Sequence, residues 1–514
     1  MSSAPGLGRR LVVNTLHAAS GRGAAMVVWL VLTPPVLRAL GPEGFAVWSI
    51  FSALTGYFGA LDFGLAQGTL QGVAAARERG DLRKGGAFAS LAAIGYGVLG
   101  ILWFCVTLVL REPIMDWLRV PEAVRGAAGF AFLASAAVFT ISGLANIGMA
   151  IHQACGRFDF ANRVLMVLTA QQAIGIPVVL AMHWGLRGLV LNVGLGWLLG
   201  LGLSLALLPR AEPAFRWASP REAVQQAREM LRFGGPMQIC NVLSVVHTHL
   251  DKFLLARLVA LAAVTPYELG FRVAIAAGGV PQLLLLAILP AAAAIHAGDQ
   301  PARLRELYQR GNRYVLAAGA TALAVLLGSA DRLFAVWIGP GQEASALAMR
   351  GIAVAGGIAI ATGMGTSVAR GIARTDLEAW FAGVALITHV ALSLWLMPRF
   401  GMIGALVAVV AANLAGATLF LVLLARTLKW PVGRLLLEPC GIPLVAALAG
   451  AAASIALDRW LPAAHGAAGW AALALVVALA GGAALAVTLA TRFISPRELL
   501  HLALTRGGRA SVST

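Results

Sequence analysis

Long apolar runs separated by short polar gaps repeat from one end of the chain to the other. A helix crosses the hydrocarbon core of a bilayer in about 20 apolar residues, so each run is read as one span. The pattern predicts about 14 spans. Six lie at 11–38, 44–72, 87–110, 127–151, 164–183 and 188–208. Six more lie at 236–259, 267–296, 313–330, 346–369, 378–397 and 403–425, followed by a pair at 441–457 and 469–491. The expected architecture is an all-α polytopic membrane protein: an N-lobe over 1–210, a cytoplasmic interfacial linker helix over 211–235, a C-lobe over 236–430, and a last helix pair with a cytoplasmic tail over 431–514.

Charge then orients the chain. Arginines gather in every second gap, and placing the N-terminus inside puts most of the 39 basic residues in cytoplasmic loops, including Arg77, Arg83, Lys84, Arg157, Arg221, Arg303, Arg310 and Arg374. The positive-inside rule therefore predicts both termini in the cytoplasm and an even number of spans. The net charge of +17 would point to nucleic acid in a soluble chain. Here it is dispersed over short loops on one membrane face and reads as topology, with no nucleic-acid partner. Hydrophobic residues at 59%, charged residues at 12% and a mean hydropathy of +0.83 agree with a chain that faces lipid and other helices.

The halves resemble each other. Gly156, Arg157, Phe158 and Asp159 have a counterpart in Ala373, Arg374, Thr375 and Asp376, each opening a span. Trp184 to Gly188 recur as Phe400 to Gly404, and Trp117 as Trp337. Six spans is an even number, so this is a parallel repeat, and it implies a pathway between two lobes. At the joint, Ser219, Pro220, Arg221 and Glu222 form a capping box with proline in the first turn, so a helix starts there. Val224, Ala227, Met230 and Leu231 share one face of it, which suits a helix on the inner membrane surface. Ser495, Pro496, Arg497 and Glu498 predict a second such helix. Gly64, Gly68 and Gly72 permit close helix approach on the second span.

Polar groups inside spans are the candidate functional residues. On the seventh span Asn241, Ser244, Thr248, Asp251 and Lys252 fall within an arc of about 100°. Asp or Lys at mid-membrane costs about 2.5–3.5 kcal/mol, so this arc is expected to face a wet cavity or an internal polar network. Arg22 lies about 16 Å into the first helix. It can serve as an anion fork or pair with Asp62. Glu268 and Arg272, four apart, suit an intrahelical ion pair. Trp29, Trp48 and Tyr57 could stack on sugars or fill packing gaps. Pro281 and Pro290, with Gly278 and Gly279, predict a bend in the eighth span. Cys105, Cys155, Cys240 and Cys440 show no paired spacing, and the scattered histidines make no triad, so neither a metal, a cofactor nor a catalytic site is expected.

The run RALGPEGFAVWSIFSALTGYFGALDFGLAQG at 38–68, the segment LRFGGPMQICNVLS at 231–244 and the string YELGFRVA at 267–274 resemble the polysaccharide-unit flippases that export O-antigen and exopolysaccharide precursors. These belong to the multidrug, oligosaccharidyl-lipid and polysaccharide exporter (MOP) superfamily. The resemblance implies a flippase, not an enzyme, in the bacterial inner membrane. It would carry an undecaprenyl-pyrophosphate-linked oligosaccharide by alternating access, with Arg22, Asp62, Asn241, Thr248, Asp251, Lys252 and Arg272 on the substrate pathway. The partners so implied are that lipid-linked oligosaccharide, membrane lipids, a coupling H+ or Na+, and the polysaccharide polymerase or export machinery. The alternatives are a drug or cation antiporter or a lipid II flippase of the same superfamily. A membrane polymerase or ligase ranks below these, since no outer loop is long enough to form a catalytic domain.

Overall fold

The computed structural model describes residues 7–60, 64–282, 284–285, 288–431, 433, 439–462 and 466–494; side chains are described from Met26 onward, except those of 56–60, 231–241 and 280. Every regular element among these residues is helical. The chain divides into two compact units, Met1–Thr265 and Pro266–Thr514. Nine of the described helices are long and apolar enough to cross a membrane by length and composition.

In the first unit α1 (Leu7–Ala60) holds the first predicted span and the start of the second. Gly41, at φ 67° and ψ 175°, supplies the turn between them. This is a left-handed backbone that costs glycine little and other residues more. The second span continues as α2 (Leu65–Glu78) behind Gly64, also left-handed. Then come α3 (Leu82–Trp117), α4 (Glu122–Ala154), α5 (Phe158–Ala181) and α6 (Gly185–Ala211). A short α7 (Pro220–Gln225) and a long α8 (Ala227–Leu258) complete the unit, followed by a 3-10 turn at Leu261–Ala263. Its core joins Val73, Phe88, Tyr96, Phe139, Ile147, Phe215 and Met230. Small residues set the approach distances: a Cβ on Gly68 would lie 2.8 Å from Met230 Cγ, and one on Gly72 2.5 Å from the Phe88 ring. The glycine stripe on the second span is thus spent on contacts with α8 and α3.

The second unit begins in α9 (Val264–Gln282) and continues through α10 (Ile288–Ala297), α11 (Pro301–Trp337), α12 (Glu343–Gly371), α13 (Asp376–Leu428), α14 (Gly441–Asp458) and α15 (Gly466–Ala490). The eighth predicted span is divided into α9 and α10, and the first of these ends one residue after Pro281. A proline ring clashes with the preceding turn and removes a donor, which accounts for the break. α13 is two spans joined across Gly401 at φ 58°. α14 and α15 lie against α11 through a seam of Ala320, Ala324, Ala446, Ala447 and Ala484.

Both units show the same local geometry at the repeated motifs. α4 ends at left-handed Gly156, after which Arg157 makes a two-pronged bond to Asp159 at 3.0 and 3.0 Å. α12 ends at left-handed Ala373, after which Arg374 does the same to Asp376 at 2.8 and 2.8 Å. Each arginine bond holds its carboxyl below the usual carboxylate range. Gly185 and Gly401 share positive φ, and Trp117 and Trp337 close α3 and α11. Exposed Trp117, Trp184 and Trp460 lie at or next to helix ends, where tryptophan commonly meets lipid headgroups.

Candidate functional site

α8 carries the densest set of polar residues inside a predicted span, and its register fixes which of them share a face. Ser244 is exposed and Thr248 is half-buried, and the Thr248 hydroxyl donates to the Ser244 carbonyl at 2.7 Å. Such a back-bond satisfies a hydroxyl inside a helix without a second element. Asp251 and Lys252 lie one turn on and are buried at 1% and 2% exposure. Both are engaged with other groups. The face therefore changes along its length, open at Ser244 and enclosed at the charged pair. Burying two charges costs several kcal/mol per ion unless each finds a partner, so the enclosed end must be a satisfied polar network in this conformation. His247 and His249 beside the face are half-buried.

The elements named by the sequence pattern are neighbours in the first unit. α8 packs on α1, the helix that carries Arg22, and on α2. Asp62, between those two, and the side chains of Arg22, Tyr57 and Asn241 lie outside the described residues. So do Ser495 to Glu498, where a second surface helix is expected. In the second unit Arg272 Nε donates to Glu268 Oε1 at 2.7 Å, with the Glu268 side chain 4% exposed. The ion pair anticipated from the i, i+4 spacing is formed, and it engages Arg272. Trp48 is buried, stacks on Phe51 at 5.6 Å and lies 6.3 Å from Trp29. It is a packing residue here, enclosed on all sides. Among the described residues no group of three or more His, Cys, Asp or Glu could hold a metal ion.

The connection from α6 to α8 holds several residues that the linear pattern did not single out. The capping box forms as the spacing requires: Ser219 Oγ accepts from the Glu222 amide, and Glu222 accepts from the Ser219 amide at 3.0 Å. These bonds, with Arg83 beside it, hold the Glu222 carboxyl below its usual range. The helix it starts is only six residues long, with Val224 exposed and Ala223 buried. Helix resumes at Ala227 and runs unbroken into the seventh span. Basic residues of the α2–α3 turn reach across to this connection: Arg77 pairs with Glu212 at 3.2 Å, Arg83 with Glu222, and Lys84 with Glu229 at 2.7 Å.

Elsewhere the interior holds polar contacts with no short-range signature. Gln171 Nε2 donates to Asn192 Oδ1 at 2.6 Å between α5 and α6. His152 Nε2 lies 3.0 Å from the Ser204 carbonyl between α4 and α6. Arg332, 9% exposed at the end of α11, pairs with Asp458 and donates to the carbonyls of Asp458, Leu461 and Pro462 at 3.2, 3.1 and 3.2 Å. It binds the turn after α14. Only its position at an outer helix end was visible from the linear pattern.

The family model described as "Polysaccharide biosynthesis protein" matches residues 11–296. A Shigella flexneri protein named "Putative O-antigen transporter" is 20% identical over 377 residues, covering 72% of this chain and 86% of its own. Among solved structures, a lipid II flippase, MurJ, in an inward closed conformation superposes with a TM-score of 0.72 at 12% identity, over 95% of this chain and 100% of its own. An inward-facing multidrug resistance MATE family transporter of the MOP superfamily gives a TM-score of 0.69 at 14% identity, over 79% of this chain and 94% of its own.

Proposed function

Because the chain belongs to the polysaccharide biosynthesis protein family, we propose that it is a flippase carrying an undecaprenyl-pyrophosphate-linked oligosaccharide across the bacterial inner membrane, from the cytoplasmic to the outer leaflet. The observation that carries this reading is the polar face of α8, placed in a helix of MOP-transporter fold beside the helix that bears Arg22. A lipid pyrophosphate with a sugar head is anionic, bulky and amphipathic. It needs cations with oxygen-matching geometry and hydroxyls for the sugar, while its tail stays in lipid. Arg22 supplies the fork, and Ser244, Thr248 and Asn241 supply neutral hydrogen-bonding groups. On this reading Asp62, Asp251, Lys252 and Arg272 are the charged groups of the substrate pathway. The relative named for O-antigen and the fold shared with a lipid II flippase both support a lipid-linked cargo. Both termini lie in the cytoplasm on this reading, as the arginine distribution requires.

The test is reconstitution into vesicles. Head-group translocation of a lipid-linked oligosaccharide is followed by its accessibility to an external modifying enzyme, with a cationic dye assayed in parallel. The reading expects translocation of the lipid-linked sugar, no accumulation of the dye, and loss of translocation in Arg22→Ala with insertion intact. Dye transport without sugar translocation would replace it with a cation antiporter.

A further inference from the structure

The connection from α6 to α8 rests on one particular face of α3. The Ala218 amide donates to Ser90 Oγ at 3.0 Å, and a Cβ on Gly86 would run into the Arg216 carbonyl, so residues 216–218 lie flat on that helix. At 100° per residue Gly86 and Ser90 share an arc of about 60° with Gly97, Ile101, Phe104 and Leu108. Ile101, Phe104 and Leu108 are exposed. An exposed face of a spanning helix that carries only apolar residues meets acyl chains, so the connection crosses the arginine-rich end of a lipid-facing stripe. Its side chains divide by chemistry. Glu212, Glu222 and Glu229, the carboxylates of residues 212–229, are taken up by Arg77, Arg83 and Lys84 of the α2–α3 turn. The arginines of the same stretch, Arg216, Arg221 and Arg228, are all exposed. Phe215, Ala223 and Met230 are buried beneath it, whereas Trp217 and Val224 are 47% and 60% exposed. The Trp217 indole meets the Phe215 ring edge-on at 5.6 Å, which holds it at the surface. Along the helical register Arg221, Val224 and Arg228 fall within about 60° of one another, roughly opposite Ala223 and Met230.

We propose that this surface binds the headgroups of anionic phospholipids, with Trp217 and Val224 entering the interface and Arg216, Arg221 and Arg228 meeting the phosphates. The ion pairs to the α2–α3 turn make the face selective, because each carboxylate that would repel a phosphate is neutralised from the other side. A guanidinium fork matches phosphate oxygens, and its aliphatic stem can lie along apolar surface while the head reaches them. Tryptophan settles at headgroup level, and basic residues beside it are drawn to an anionic leaflet. A free phosphate ion would use the arginines alone. A lipid uses the arginines and the two apolar side chains together. On the topology read from the arginine distribution, the leaflet is the inner one. The surface meets bulk bilayer, so it is independent of the cargo carried.

Contact quenching on the full-length protein tests it. A fluorophore is attached through Val224→Cys in a background without native cysteines, and the protein is reconstituted in vesicles of phosphatidylcholine and phosphatidylglycerol in equal parts. Bromine on an acyl chain quenches on contact, and it is carried by one lipid or by the other at the same overall composition. A second reporter, Val109→Cys, occupies the exposed far end of α3. At position 224 brominated phosphatidylglycerol should quench about five-fold more effectively than brominated phosphatidylcholine, the preference that one arginine near an anionic surface implies. At position 109 the two should quench equally. Arg216→Gln, Arg221→Gln and Arg228→Gln combined should equalise them at position 224 with lipid contact retained. Should that triple variant fail to insert, the comparison of positions 224 and 109 decides alone. Equal quenching at position 224 with the arginines present, or the same anionic preference at position 109, would overturn the proposal. So would the absence of quenching by either lipid at position 224, which places the face in water or against another protein.

Discussion

Replacing Arg332 with methionine isolates one buried cation and the turn it holds. In the native protein its guanidinium satisfies the Asp458 carboxylate and three carbonyls of the turn after α14. Methionine fills much of the volume and donates nothing. Breaking a fully buried pair from one side costs about 3–5 kcal/mol. The Asp458 side chain is 25% exposed, so water recovers part of that, and the expected cost is about 2–3 kcal/mol. The loss is local, because the alanine seam on α11 still holds α14 and α15, and a Cβ on Gly450 would run into the Ala480 carbonyl. Hydrogen exchange at the Arg459, Trp460 and Leu461 amides should therefore accelerate roughly 30- to 150-fold. Arg332→Lys should fall between, since an ammonium lacks the planar fork that serves a carboxylate and carbonyls together. Adding Asp458→Asn to Arg332→Met should recover part of the loss by removing the unpaired charge. Exchange unchanged from wild type at those three amides would refute the assignment of Arg332 as the anchor of the turn.

Two further outcomes follow from the connection before α8. Gly86→Val should push residues 215–218 off α3, withdraw Phe215 from the core and cost about 1–3 kcal/mol; new protease cleavage between 212 and 219 detects it, and wild-type resistance would count against the flat packing. Glu222 titrates below its ordinary range in the folded protein, so its stabilisation is complete above an unfolded pKa of about 4.3 and is lost only as pH falls through the lower folded value. The distance between spin labels placed at exposed Arg79 and Val224 should accordingly hold steady from pH 7 to pH 5 and lengthen only below pH 4; opening near pH 6 would contradict the pairing of Glu222 with Ser219 and Arg83.

The helices were legible because hydropathy and turn chemistry agree along most of the chain. The gaps at 38–44 and 397–403 coincide with left-handed Gly41 and Gly401, and the capping box at Ser219 starts a helix where its spacing says. α11 begins at Pro301, well before the apolar run at 313, because Leu304 and Tyr308 bury one face against Val368 and Phe420 while Arg303, Arg305 and Arg310 keep the other polar. A window averaged over both faces hides that amphipathic start. The Glu268–Arg272 pair was readable from i, i+4 spacing alone. Arg83 with Glu222 and Arg332 with Asp458 join residues more than a hundred positions apart, where periodicity carries no information. Nor does a helical wheel distinguish lipid, water and protein interior, so it could not tell that the α8 face is exposed at Ser244 and enclosed at Asp251 and Lys252.

The account depends most on that face of α8 meeting water as the transporter works. Single cysteines at 244, 248, 250 and 251, in a background without native cysteines, are to be labelled by a membrane-impermeant thiol reagent with and without a lipid-linked oligosaccharide undergoing translocation. The account predicts rapid labelling at 244 and 248, slow labelling at 250 throughout, and labelling at 251 that accelerates only during turnover. Position 251 remaining protected during active translocation, or all four reacting equally, would contradict it.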